Sequence, residues 1–86
     1  MKLSSDFISF RANDEVMLVA MGGADFSGLV KGNEAWGDVL ELLQKDITEA
    51  DLIAAMLDRY DAPEEVLAKD IGEALAQLRA IGALEE

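Results

Sequence analysis

The stretch Ile47–Leu84, ITEADLIAAMLDRYDAPEEVLAKDIGEALAQLRAIGAL, decides the fold. It holds two amphipathic helices joined by a short connection, and their apolar faces require the rest of the chain as a packing partner. Thr48 and Asp51 stand at capping-box spacing, where each side chain can take up a backbone N–H left free by the first helical turn. Ile47 before the cap and Leu52 beyond it have the spacing of a hydrophobic staple. Leu52, Ile53, Met56, Leu57 and Tyr60 then follow the helical period and form a core face.

Asp61 and Ala62 interrupt that pattern. Pro63 is placed to open the next helix at its first helical position, where a missing N–H loses no hydrogen bond. Glu64 and Glu65 follow in the first turn, where negative charge suits the helix dipole. Leu67, Ile71, Ala74, Leu75 and Leu78 make the buried stripe. This helix is predicted to stop near Ile81, with Gly82 as the left-handed terminating residue and Leu84 folding back over the end.

Upstream, Met1–Asp6 is polar and expected to be loose. Phe7–Arg11 is predicted to be a short strand with Ile8 and Phe10 on one face and Phe7 and Ser9 on the other. Asn13 and Asp14 are turn residues, and the strand after them, Glu15 to Met21, is apolar on both faces. Such a strand needs cover on both sides or a central place in a sheet. Gly22 and Gly23 end it, and ADFSGLVKGN leads into a third short strand, Ser27–Lys31. Its neighbouring Gly28 and Gly32 suit a sheet edge, whose N–H and C=O groups are unpaired. Asn33 is placed to cap a first helix with Trp36, Val39, Leu40 and Leu43 buried. The expected architecture is α+β, a three-stranded antiparallel sheet followed by three helices, in a single domain over residues 1–86.

Composition narrows the function. The 86 residues contain no cysteine and no histidine, so disulfides, thiol nucleophiles, the commonest metal ligand and the usual general base are all missing. No catalytic residue, metal site or cofactor is predicted. The net charge of −11 repels phosphate backbones and anionic lipids, and the seven basic residues are scattered. Neither nucleic acid nor membrane is an expected partner. With no secretory leader and no long apolar run, the expected location is cytoplasmic.

NE at Asn33–Glu34 running into VLELLQ at Val39–Gln44, then TEADLIAAMLDRYD at Thr48–Asp61, then DIGEALAQLRAIGAL at Asp70–Leu84, resemble the family of coenzyme PQQ synthesis protein D, the peptide chaperones also called RiPP recognition elements. The resemblance covers nearly the whole chain and implies a winged helix-turn-helix-like fold. It also implies a function in PQQ biosynthesis or related pathways: binding the leader of a ribosomally made precursor peptide and presenting it to a maturation enzyme, often a radical S-adenosylmethionine protein. In that family the leader adds to the third strand and lies beside the third helix. Carried over by position, the peptide-binding residues are Ser27, Gly28, Leu29, Val30 and Lys31 on the strand and Val66, Asp70, Ala74 and Gln77 on the helix. A proline at Val30 is expected to remove an edge N–H and so to weaken leader binding more than folding. Three positions depart from the family pattern. Trp36 stands early in the first helix where small residues are usual, with Leu40 at the later aromatic position, and Gly32 replaces an apolar residue.

Besides carboxylate catalysis, for which no pair stands out among the 18 acids, three rivals stand beside it. A DNA-binding winged helix would need a basic recognition helix, whereas the third helix carries only Lys69 and Arg79 as cations. An acyl carrier protein is also small and acidic, and Ser27 in GADFSGL resembles its modified serine, but Phe26 separates Asp25 from Ser27 and the stretch before it is strand-like. The third is a generic protein-interaction module. An open edge strand can also pair with a second copy, which would give a homodimer.

Overall fold

The computed structural model describes residues 1–22 and 28–86; Gly23 and Ser27, to which the sequence assigns the end of a strand and a binding position, lie outside the described residues. The elements run β1 (Lys2–Leu3), β2 (Phe7–Ala12), β3 (Glu15–Ala20), β4 (Leu29–Gly32), α1 (Glu34–Leu42), α2 (Glu49–Arg59), α3 (Glu64–Ala80) and β5 (Leu84–Glu85). Strands β2, β3 and β4 form an antiparallel sheet in that order, and three helices follow it, so the α+β winged helix-turn-helix-like architecture stands.

The helices begin and end where their capping residues direct. Asn33 accepts the Trp36 N–H at 2.9 Å and Thr48 accepts the Asp51 N–H at 3.1 Å. Pro63 differs from expectation: it is the cap of α3 rather than its first helical residue. With no side-chain acceptor it contributes its carbonyl, which receives the N–H groups of Val66 and Leu67 at 3.1 and 3.2 Å. At the other end Gly82 has φ 74°, Gly82 N–H donates to Arg79 O at 3.1 Å, and Ala83 N–H donates to Leu78 O at 2.8 Å. These are the two bonds of a Schellman motif, and buried Ala83 and Leu78 supply its apolar contact.

Helix α1 is the hub, packing on β2, β3 and β4 and against α2 and α3. Phe7, Val16 and Leu18 from the inner face of the sheet meet Trp36, Val39, Leu40 and Leu43 of α1, Leu52 and Met56 of α2, and Leu67, Ile71, Leu75 and Leu78 of α3 in one core. The tight β2–β3 connection passes through Asn13 at φ 59°, a left-handed conformation that asparagine tolerates better than most residues. Strand β3 takes the central place its two apolar faces require, Val16 and Leu18 inward and Met17 and Val19 outward.

The first residues are not loose. Strand β1 pairs with β5, Lys2 opposite Glu85 and Leu3 opposite Leu84. Leu3 N–H donates to Leu43 O at 2.8 Å, Ser4 N–H to Ala83 O at 2.7 Å, and Ile47 N–H to Met1 O at 2.9 Å. Leu3 and Ser4 are buried as a result. Leu84 does fold back, but as part of this two-stranded sheet. Both strands are too short to carry a periodic signal, so only their meeting in space defines them.

Candidate functional site

Strand β4 is an edge of the three-stranded sheet, and its ladder fixes which of its groups face outward. Ala20 N–H donates to Gly28 O, and the register continues through Val19–Leu29, Leu18–Val30, Met17–Lys31 and Val16–Gly32. Antiparallel pairs alternate between bonded and non-bonded. The bonded pairs are therefore Leu18–Val30 and Val16–Gly32, while Leu29 and Lys31 direct N–H and C=O away from β3. Met21 N–H donating to Asp6 O gives the matching alternation on the β2 side of the central strand. The edge groups thus belong to Leu29 and Lys31. The N–H of Val30 points into the sheet, so a proline there would strike the ladder rather than the edge.

The side chains alternate as well. Val30 is half-buried against the core, whereas Leu29 is 48% exposed on the outer face, where Ile8 and Phe10 are also exposed. Lys31 points the same way and pairs with Glu15 at 3.7 Å.

Beyond the end of β4 lies a groove of about 340 Å³ between the first turns of α1 and the flank of α3. Its apolar wall includes Trp36, Val39, Met56, Leu67 and Ile71, and Asn33, Asp70, Glu73 and Gln77 give it polar edges. Of the helix residues expected at the site, Asp70, Ala74 and Gln77 line this groove together. Val66 is 48% exposed and is not part of its lining, and residues 28–31 flank the groove without lining it. Trp36 and Glu73 were not among the expected site residues. The indole has core spacing, which hides it among packing residues, and a single glutamate on a polar helix flank gives no local signal.

The departures at Gly32 and Trp36 are one feature. A Cβ at Gly32 would lie 2.2 Å from Trp36 Cε3 and 2.5 Å from Cδ2, so the indole fills the space a side chain on this strand position would need. That contact explains why the strand runs through Gly32 despite the general cost of glycine in strands.

On the far side of the sheet a polar cluster ties the hairpin to the helices. Asp38 accepts from Arg11 at 3.2 Å, pairs with Arg59 at 3.3 Å, and receives the Tyr60 hydroxyl. The bond to Asp38, with burial, pushes the Tyr60 hydroxyl up to about 12. Among the described residues no group of three or more His, Cys, Asp or Glu side chains is arranged to hold a metal ion. No helix among them is long and apolar enough to cross a membrane.

An antiparallel sheet with β4 at its edge, unpaired on its outer side among the described residues and continued by a groove against the third helix, defines a small α+β module of the winged helix-turn-helix type. The chain belongs to the coenzyme PQQ synthesis protein D (PqqD) family, whose model matches residues 15–84. A solved structure of TbiB1 in complex with the TbiA(beta) leader peptide has the same fold, with a TM-score of 0.80 at 20% identity over 99% of this chain and 95% of that one. A search of curated protein sequences finds no match.

Proposed function

We propose that this chain, acting as one unit over residues 1–86, is a non-catalytic peptide chaperone that captures the leader of a ribosomally synthesised precursor peptide and presents it to a modifying enzyme of the radical S-adenosylmethionine type. The observation that carries this reading is the β4 edge, where Leu29 and Lys31 turn their backbone groups outward beside a groove walled by α3. An extended peptide gains main-chain hydrogen bonds along such an edge, and the adjacent groove selects its side chains. Family membership supports the reading, as does the TbiB1 complex with its leader peptide. Gly28, Leu29, Val30 and Lys31 provide the strand surface, and Asp70, Ala74 and Gln77 the helix surface; Val66 borders it. The chaperone works in the cytoplasm, where precursor and enzyme are made, and raises the local concentration of one near the other.

The test is an amide titration of labelled protein with the synthetic leader of the precursor peptide encoded beside this chain. Shifts at residues 28–32 and along residues 70–77 are expected. A monomer that ignores that peptide at large excess overturns the reading.

A second reading, a module for a folded protein partner, is favoured by the outer face of the sheet, where Ile8 and Phe10 are 50% and 46% exposed beside Leu29. Its occupant would be the modifying enzyme, because a leader strand on β4 extends this face and the net charge of −11 opposes pairing with a second copy. An acyl carrier does not suit the fold, since β2 and β3 occupy the stretch where a carrier needs a helix.

A further inference from the structure

Trp36 is 8% exposed, and its Nε1 is buried without a hydrogen-bond partner among the described residues. Buried indole N–H groups are ordinarily paired, because an unpaired donor has lost water and gained nothing in return. The indole is locked by Gly32, whose missing side chain makes its space, and it also forms part of the wall of the groove between α1 and α3. The sheet therefore gives up a side chain at the end of its edge strand to hold a desolvated donor beside the candidate peptide path.

We propose that Trp36, held by Gly32, is a specificity-determining residue of the groove, donating its Nε1–H to an uncharged oxygen of the bound peptide. This inference rests on the peptide-binding reading. Asp70 and Glu73 share the groove, so a peptide carboxylate is repelled, and the fitting acceptor is a carbonyl or hydroxyl oxygen. Contact with the buried N–H requires lining side chains to give way, and Met56, which shares the lining, has an unbranched thioether that repacks readily. A donor already stripped of water then gains its bond without a second desolvation.

The chain has one tryptophan, so a single indole resonance reports the event. Titration of labelled protein with the synthetic leader of the neighbouring precursor peptide is expected to move the Nε1–H signal downfield and slow its exchange. Replacing Trp36 by its benzothiophene isostere, which keeps the ring shape and removes the donor, is expected to weaken that peptide about fivefold, the worth of one neutral hydrogen bond. Backbone shifts at Leu29 and Lys31 with a stationary indole signal, or equal affinity of the isostere, overturn the role of Trp36 and leave leader binding standing. Absence of any backbone or indole shift overturns both.

Discussion

The sheet has two edges, and they are finished in opposite ways. Beside β2, Arg11 reaches over α1 to Asp38 and Glu41, and the depression there, about 270 Å³, has Arg11, Glu41 and Gln44 in its lining. Beside β4, Lys31 turns back onto Glu15 of the neighbouring strand, and the groove past the strand's end is walled by Trp36, Met56, Leu67 and Ile71. Both strands lie at the margin of the sheet. Both depressions mix apolar and polar lining, and what separates them is the state of their polar groups: on one side the Arg11 guanidinium is engaged with Asp38 and Glu41, on the other the groove against α3 holds the Trp36 donor, which has no partner among the described residues. An edge becomes a receptor through its surroundings as much as through its own free groups.

The contrast can be broken at its structural root. Gly32→Val places a side chain inside the Trp36 ring, and overpacking of this kind is expected to cost about 3 kcal/mol, read as a lower denaturant midpoint. If this variant folds with unchanged stability, the indole has another place to go and the groove is not built on this contact. On the β2 side, Asp38→Ala leaves Arg11, Arg59 and Tyr60 without their shared acceptor, and a loss of about 2 kcal/mol is expected in the same measurement. Leader affinity should stay within about twofold, since none of these four residues lines the groove.

The edges themselves are compared by proline. Lys31→Pro removes an outward N–H and leaves the β3–β4 ladder whole, so leader binding is expected to fall about tenfold with little change in the melting transition. Val30→Pro removes a ladder bond to Leu18 and is expected to lower stability first. Ser9→Pro on the β2 edge should leave the peptide's affinity unchanged. Equal binding by the Lys31 variant would sink strand addition at β4.

The smallest expected effect is a matter of pH. Below pH 10 the Tyr60 hydroxyl is protonated in both folded and unfolded chains, and its bond to Asp38 contributes in full. As pH rises from 10 toward 12 the unfolded chain releases the proton while the folded one keeps it, so this contribution is lost across that window. Tyr60→Phe should lower stability at neutral pH by about 1 kcal/mol and flatten the alkaline limb of the stability curve. An unchanged alkaline limb would show that Asp38 does not hold the hydroxyl in solution.

The three helices were legible because their signals are local: Asn33 and Thr48 mark starts, Gly82 marks an end, and the apolar positions between them repeat with the helical period. The central place of β3 was legible for a similar reason, since Val16–Val19 has no polar face to offer water. The candidate site was legible only in outline. The family pattern brought Asp70, Ala74 and Gln77 to one flank, and they do share a groove, while Trp36 and Glu73 had no sequence feature separating them from ordinary core and surface residues.

The sequence by itself determined the order of the three main strands and three helices, the core stripes, the lack of histidine and cysteine, and the net charge of −11. Each of these follows from residue identity and short-range spacing. Only the tertiary structure decided that the first residues join the last in a sheet, that Leu29 and Lys31 rather than Val30 face outward, and that Gly32 makes room for Trp36. These depend on register and on contacts between segments that meet only after the helices have packed on the sheet, and no pattern within a single segment encodes where its neighbour will stand.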